Sequence, residues 1–181
     1  MNKSLLDIVS KCRALLFQVP DMVDQLSQRD VHFIQVFTDW LREAEDFLKQ
    51  YNYPQCSEIA GFRSQLLTPL LSVEKNVSRR KEQLHVASSL IHPSQNVLLA
   101  VVEPVEYKVS QAKEIISQIL QLAKQAGMIR YEKHIDFNTY LMGLLEMFKN
   151  HEQLKPSMTK ALTLVNQSDL LRIMAEEIDF T

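Results

Sequence analysis

The stretch Ser57–Ile91, SEIAGFRSQLLTPLLSVEKNVSRRKEQLHVASSLI, decides how the chain reads. Its apolar residues Ile59, Phe62, Leu66, Leu70, Val73, Val77, Leu84 and Ala87 recur in helical rhythm, the spacing that gathers side chains on one face of an α-helix. One position on that stripe is not apolar. Arg80 stands where a hydrophobe is expected, and His85 follows between Leu84 and Val86. Pro69 lacks an N–H and clashes with the preceding turn, so a kink or break is expected there. Ser57 is the expected N-cap.

The same periodicity extends toward the N-terminus. Leu5, Ile8, Val9, Cys12, Leu15 and Leu16 share one side of a helix over residues 4–18. Pro20 ends it or starts the next turn. A short helix over 21–26 would turn Met22, Val23 and Leu26 inward. From Asp30 to Tyr51, the series Ile34, Leu41, Leu48 and the series Phe37, Ala44, Tyr51 make an a/d seam of coiled-coil spacing. Trp40 borders that seam and reads as a buried core residue, while Asp39, Arg42, Glu43, Glu45, Asp46 and Lys49 occupy the opposite face. Tyr53-Pro54 closes the helix, because the residue before a proline avoids helical geometry.

Toward the C-terminus, Pro93 and Pro104 predict two more interruptions. They would separate a helix over 70–91 from a short one beginning at Pro93 or Ser94, and that one from a helix over 105–127. Val109, Ile116, Ala123 and Ala112, Ile119, Ala126 form a second seam. Gly127 stands where a helix C-cap glycine belongs. Residues 130–136 are polar. A helix over 137–148, one opening at Lys155-Pro156 and one over 169–178 with Ser168 as N-cap complete the chain. No strand-like alternation of useful length occurs. The expectation is an all-α single domain over 1–181, a bundle of about six to eight largely antiparallel helices. The longest would be 30–51, 70–91 and 105–127.

Composition narrows the function classes. Apolar residues make up 46% and charged residues 23%, which suits a globular core. A net charge of −2 argues against a duplex-coating nucleic-acid binder, which is normally basic. Three glycines and no glycine-rich phosphate loop argue against the common nucleotide-binding folds. Cys12 and Cys56 have neither metal-ligand nor redox spacing and read as reduced thiols. The apolar run Val97–Val102 is far shorter than the roughly 20 residues of a membrane span. These features predict a cytoplasmic chain with no membrane segment.

The chemistry-bearing residues cluster in Arg80-Lys81-Glu82-Gln83-Leu84-His85. An arginine followed by a histidine four to six residues later on one helix resembles the ribonuclease motif of HEPN domains. That resemblance implies metal-independent RNA cleavage in a cleft usually formed across a dimer. His85 would transfer protons involving the 2′-hydroxyl, and Arg80, or Arg79 in its place, would stabilise phosphate charge. Lys81 departs from the pattern, since a small polar residue commonly follows the arginine. The plainer alternative is a surface arginine paired with Glu82 or a neighbouring helix, and a histidine at the edge of the core.

Metal sites find less support. Glu82 and His85 have one i, i+3 spacing, whereas a di-iron bundle needs two such motifs and two further glutamates. His85 and His92 are about two helical turns apart, roughly 10 Å along the axis. His134 and His151 lie in polar stretches and read as solvated. No metal and no cofactor are expected. Lys75, Arg79, Arg80 and Lys81 make a basic face without the interleaved aromatics of a single-strand platform.

The leading expectation is a non-enzymatic interaction subunit, an adaptor, assembly factor or inhibitor. Its partner would be another cytoplasmic protein, or a second copy in a homo-dimer. A HEPN-like ribonuclease or inactive relative using Arg80 and His85 is the alternative. A bundle holding an apolar ligand is a third reading. It requires a large enclosed pocket, which a core filled by Phe37, Trp40, Phe62 and Phe148 would exclude.

Overall fold

The computed structural model describes residues 3–71, 79–130 and 135–178. The elements in chain order are α1 (Leu5–Phe17), α2 (Val19–Ser27), α3 (Phe33–Gln50), α4 (Cys56–Leu67), a 3-10 turn (Thr68–Leu71), α5 (Arg79–Gln125), α6 (Phe137–Asn150), α7 (Lys155–Leu164) and α8 (Gln167–Glu177). No strand occurs among the described residues, and the architecture is all-α as expected. Val73 and Val77 of the opening stripe, Lys75 of the basic face, and His134 lie outside the described residues.

Proline and cap chemistry account for several helix ends. Pro20 sits in the first turn of α2, where the missing N–H has no intrahelical partner to lose. Helix α4 stops at Leu67, just before Pro69, and the chain tightens into the 3-10 turn. Two expected caps are displaced. Ser57 is not an N-cap. Helix α4 begins at Cys56, because the Tyr53 and Pro54 carbonyls already accept from the Cys56 and Ser57 N–H groups, each at 3.2 Å. The Ser57 hydroxyl donates instead to the Pro54 carbonyl at 2.8 Å. Ser168 lies inside α8, whose N-cap is Asn166; its Oδ1 accepts from the Asp169 N–H at 2.9 Å.

The largest correction concerns Pro93 and Pro104. Neither interrupts the chain, and one helix of 47 residues, α5, replaces the three expected segments. A proline inside a helix costs about 3 kcal/mol. Leu90, Ile91, Val97, Leu98, Val101, Val102, Val105 and Val109, which bracket the two prolines, are all buried. At roughly 1.5–3 kcal/mol for each fully buried aliphatic side chain, the packed face outweighs the two local defects.

Two compact units divide the chain, Met1–Val9 with Pro104–Thr181 and Ser10–Glu103. In the first unit the core joins Ala112, Ile116 and Ile119 of α5, Leu144, Leu145 and Phe148 of α6, Met158 and Ala161 of α7, and Leu170, Ile173 and Met174 of α8. The second sequence seam is therefore a core seam from Val109 to Ala123, while Ala126 lies past the helix end and is exposed.

In the second unit α3 buries Phe33, Phe37, Trp40, Leu41, Ala44, Phe47 and Leu48. Phe33 stacks on Phe37 at 5.9 Å and Phe37 on Trp40 at 6.0 Å. Trp40 is 2% exposed and its indole N–H donates to the Leu15 carbonyl at 2.9 Å, so the ring's only polar atom is satisfied within the core. Ile34 and Tyr51 of the expected seam are half-buried. Helix α4 packs on α3 through its buried Ile59 and Leu66, with Phe62 half-buried.

Candidate functional site

The site lies within the second unit, where the end of α2 meets the start of α5. Helix α2 ends in a Schellman arrangement: the Asp30 N–H donates to the Gln25 carbonyl and the Arg29 N–H to the Leu26 carbonyl, both at 3.0 Å. This closure puts Arg29 in the left-handed region, at φ 54°. Helices α3 and α5 end the same way, with Asn52 at φ 59° and Gly127 at φ 68° in the equivalent position. Asparagine and glycine tolerate that conformation; arginine does so at a cost of roughly 1 kcal/mol.

Arg80, in the first turn of α5, reaches this turn. Its Nη2 donates to the Asp30 carbonyl at 3.1 Å and to the Arg29 carbonyl at 3.4 Å. A guanidinium beside the carbonyls that follow a helix C-terminus is electrostatically favourable. Arg80 therefore serves neither a Glu82 pair nor the core. On the buried side of α5, Gln83 and Ala87 face inward, and the Gln83 amide donates to the Leu66 carbonyl at 3.4 Å.

The result is a cleft of about 680 Å³ lined by Leu26 and Arg29 from α2 and its closing turn, and by Arg80, Lys81, Leu84, His85 and Ser88 from α5. The α5 residues fall at offsets of one, four, five and eight, which gather on one side of a helix. Arg29, Arg80, Lys81 and His85 are exposed, while Leu26 and Leu84 are half-buried. Among the described residues that line it there is no carboxylate and no aromatic ring. An anionic group entering the cleft meets three permanent cations, a histidine able to donate or accept a proton, and two aliphatic side chains.

Arg80 and His85 are thus brought into one cleft, whereas Arg79 and Glu82, on the same turns, are exposed and do not line it. Sequence reasoning missed Arg29 and Leu26. The helix end after Ser27 carries no glycine or asparagine to announce a left-handed residue, so Arg29 gave no local signal. His92 lies with Nε2 3.3 Å from the Asn96 amide nitrogen. His151 is half-buried rather than solvated, and its Nδ1 is buried without a hydrogen-bond partner. Among the described residues no group of three His, Cys, Asp or Glu side chains is placed to hold a metal ion. No family model, curated protein or solved structure matches the chain.

Proposed function

We propose that the chain is a non-enzymatic helical interaction subunit, an adaptor, assembly factor or inhibitor that binds another protein in the cytoplasm. The observation that carries this reading is the lining of the α2–α5 cleft, whose described residues combine three exposed cations with Leu26 and Leu84 and include no carboxylate. Such a surface offers charge and apolar contact to a macromolecule. Neither Cys12 nor Cys56 is in a disulfide, which suits a reducing compartment, and no helix among the described residues is long and apolar enough to cross a membrane. Affinity purification of the full chain, with light scattering on the product, tests the reading. A stoichiometric protein partner, or a homo-dimer, is the expected result. RNA turnover by the purified chain that disappears in Arg80→Ala or His85→Ala would overturn it.

The HEPN-like ribonuclease, or an inactive relative, is the second reading. It is favoured by the shared cleft of Arg80 and His85. Its test is cleavage of single-stranded RNA in the presence of a chelator, with both single variants alongside. Cleavage that either substitution abolishes supports the ribonuclease, and no cleavage by the wild type removes the active enzyme and leaves only the inactive relative.

A further inference from the structure

We infer that the α2–α5 cleft is the docking site for an acidic, aliphatic segment of a partner protein. Carboxylates of the segment pair with Arg29, Arg80 and Lys81, and an aliphatic side chain seats against Leu26 and Leu84. The inference rests on the interaction-subunit reading and gives it a ligand chemistry.

Four observations carry it. First, the cleft is cationic on a chain whose net charge is −2; the local charge runs against the global one, and complementary potential is what selects a partner. Second, the described lining residues include no aromatic ring on which nucleic-acid bases would stack, whereas two leucines suit aliphatic side chains. Third, about 680 Å³ is far more than one anion fills, and falls in the range of clefts that hold a ligand of several connected groups. Fourth, the two arginines are set by the backbone. Arg80 is anchored on the carbonyls of Arg29 and Asp30, so less ordering is left for the binding step. Arg29 occupies a left-handed position that, among the described residues, is given to Asn52 and Gly127 at the ends of α3 and α5, and its side chain lines the cleft. Strained backbone of this kind concentrates at recognition surfaces.

The test is fluorescence anisotropy with a labelled peptide of alternating glutamate and leucine. The same peptide with glutamine for glutamate, and a labelled oligouridylate, serve as comparisons. The full-length chain is compared with Arg29→Gly and Lys81→Ala. Arg29→Gly relieves the left-handed strain, so its fold is retained, and a thermal melt of each variant verifies this. The expected result is saturable binding of the glutamate–leucine peptide, weakened about tenfold by either substitution or by glutamine in the peptide. Binding should also weaken with added salt. No binding of that peptide, equal binding by both variants, or equal binding of the glutamine peptide overturns the inference. Tighter binding of oligouridylate also overturns it and assigns the cleft to RNA. Purification of the natural partner separates this inference from the reading beneath it. A partner held equally by the wild type and by an Arg29→Gly, Lys81→Ala double variant refutes the cleft alone; no partner with either form refutes the interaction subunit itself.

Discussion

The buried carboxylate of Asp169 holds the start of α1: the Leu5 backbone N–H donates to its Oδ2 at 2.6 Å. The Ser4 hydroxyl donates to Oδ1 at 2.6 Å and the Asn166 amide to Oδ2 at 3.1 Å. Asp169 is fully buried, so these donors stand in for the water it has lost. The first N–H groups of a helix have no intrahelical acceptor, and a side chain from the first turn of α8 supplies one to α1. Asp169→Ala should destabilise the fold by about 2–4 kcal/mol, since it strands several donors at once. Asp169→Asn, which keeps one acceptor oxygen, should cost less. Urea titration measures both; a loss under about 1 kcal/mol for the alanine variant would reject the role.

Beside that contact, Arg172 Nη1 donates to Asp7 Oδ1 at 2.7 Å. This hydrogen bond holds the Asp7 carboxyl below its ordinary value of 3.8 against the opposing effect of burial, with the guanidinium charge adding to it. A carboxyl with a lowered folded pKa stabilises the fold above its unfolded pKa, and the contribution is lost as pH falls through the folded value. Both side chains are about half exposed, at 50% and 53%, so screening limits the pair to roughly 0.5 kcal/mol or less. Arg172→Ala should move the Asp7 titration upward toward its ordinary value in carboxyl-detected NMR. The stability difference from wild type should vanish in strong acid. An unchanged Asp7 midpoint would contradict the pairing.

The left-handed helix closures at Gly127 and Arg29 make opposite demands on substitution. At Gly127 an added Cβ meets nothing nearer than Arg130 Nη2 at 4.0 Å, so the cost of Gly127→Ala is conformational, about 1 kcal/mol of destabilisation. Arg29→Gly runs the other way. Relief of the left-handed strain, less the greater freedom of glycine in the unfolded chain, should leave a net gain of up to about 1 kcal/mol. Thermal melts of the two variants should therefore shift in opposite directions. A destabilised Arg29→Gly would mean that the arginine side chain contributes more to the fold than its backbone costs.

Pro104 lies exposed inside α5. Restoring an N–H there by Pro104→Ala supplies the hydrogen bond missing four residues back and removes the ring's clash. Part of the gain is offset by the looser unfolded chain. The expected outcome is stabilisation by about 1–2 kcal/mol with an unchanged helical circular dichroism shape. Destabilisation would show that the helix is fitted around a bend set by the proline.

What the amino-acid sequence determined was the all-α class and most of the buried faces. Phe37, Leu41, Ala44 and Leu48 of α3 and Val109, Ala112, Ile116, Ile119 and Ala123 of α5 are buried as their spacing predicts. Gly127 closes α5 in the left-handed conformation that its place in the sequence implied. These features are local: a 3.6-residue period and a single backbone preference act within a few turns, so a short window contains the cause. The tertiary structure alone decided the rest. Pro93 and Pro104 each carry a local instruction to stop, and burial along both flanks of α5 overrode it. Arg80 meets the Arg29 and Asp30 carbonyls across 51 and 50 residues, and Asp169 caps α1 across 164. Such pairings depend on where packing delivers two distant helix ends, which no periodicity records.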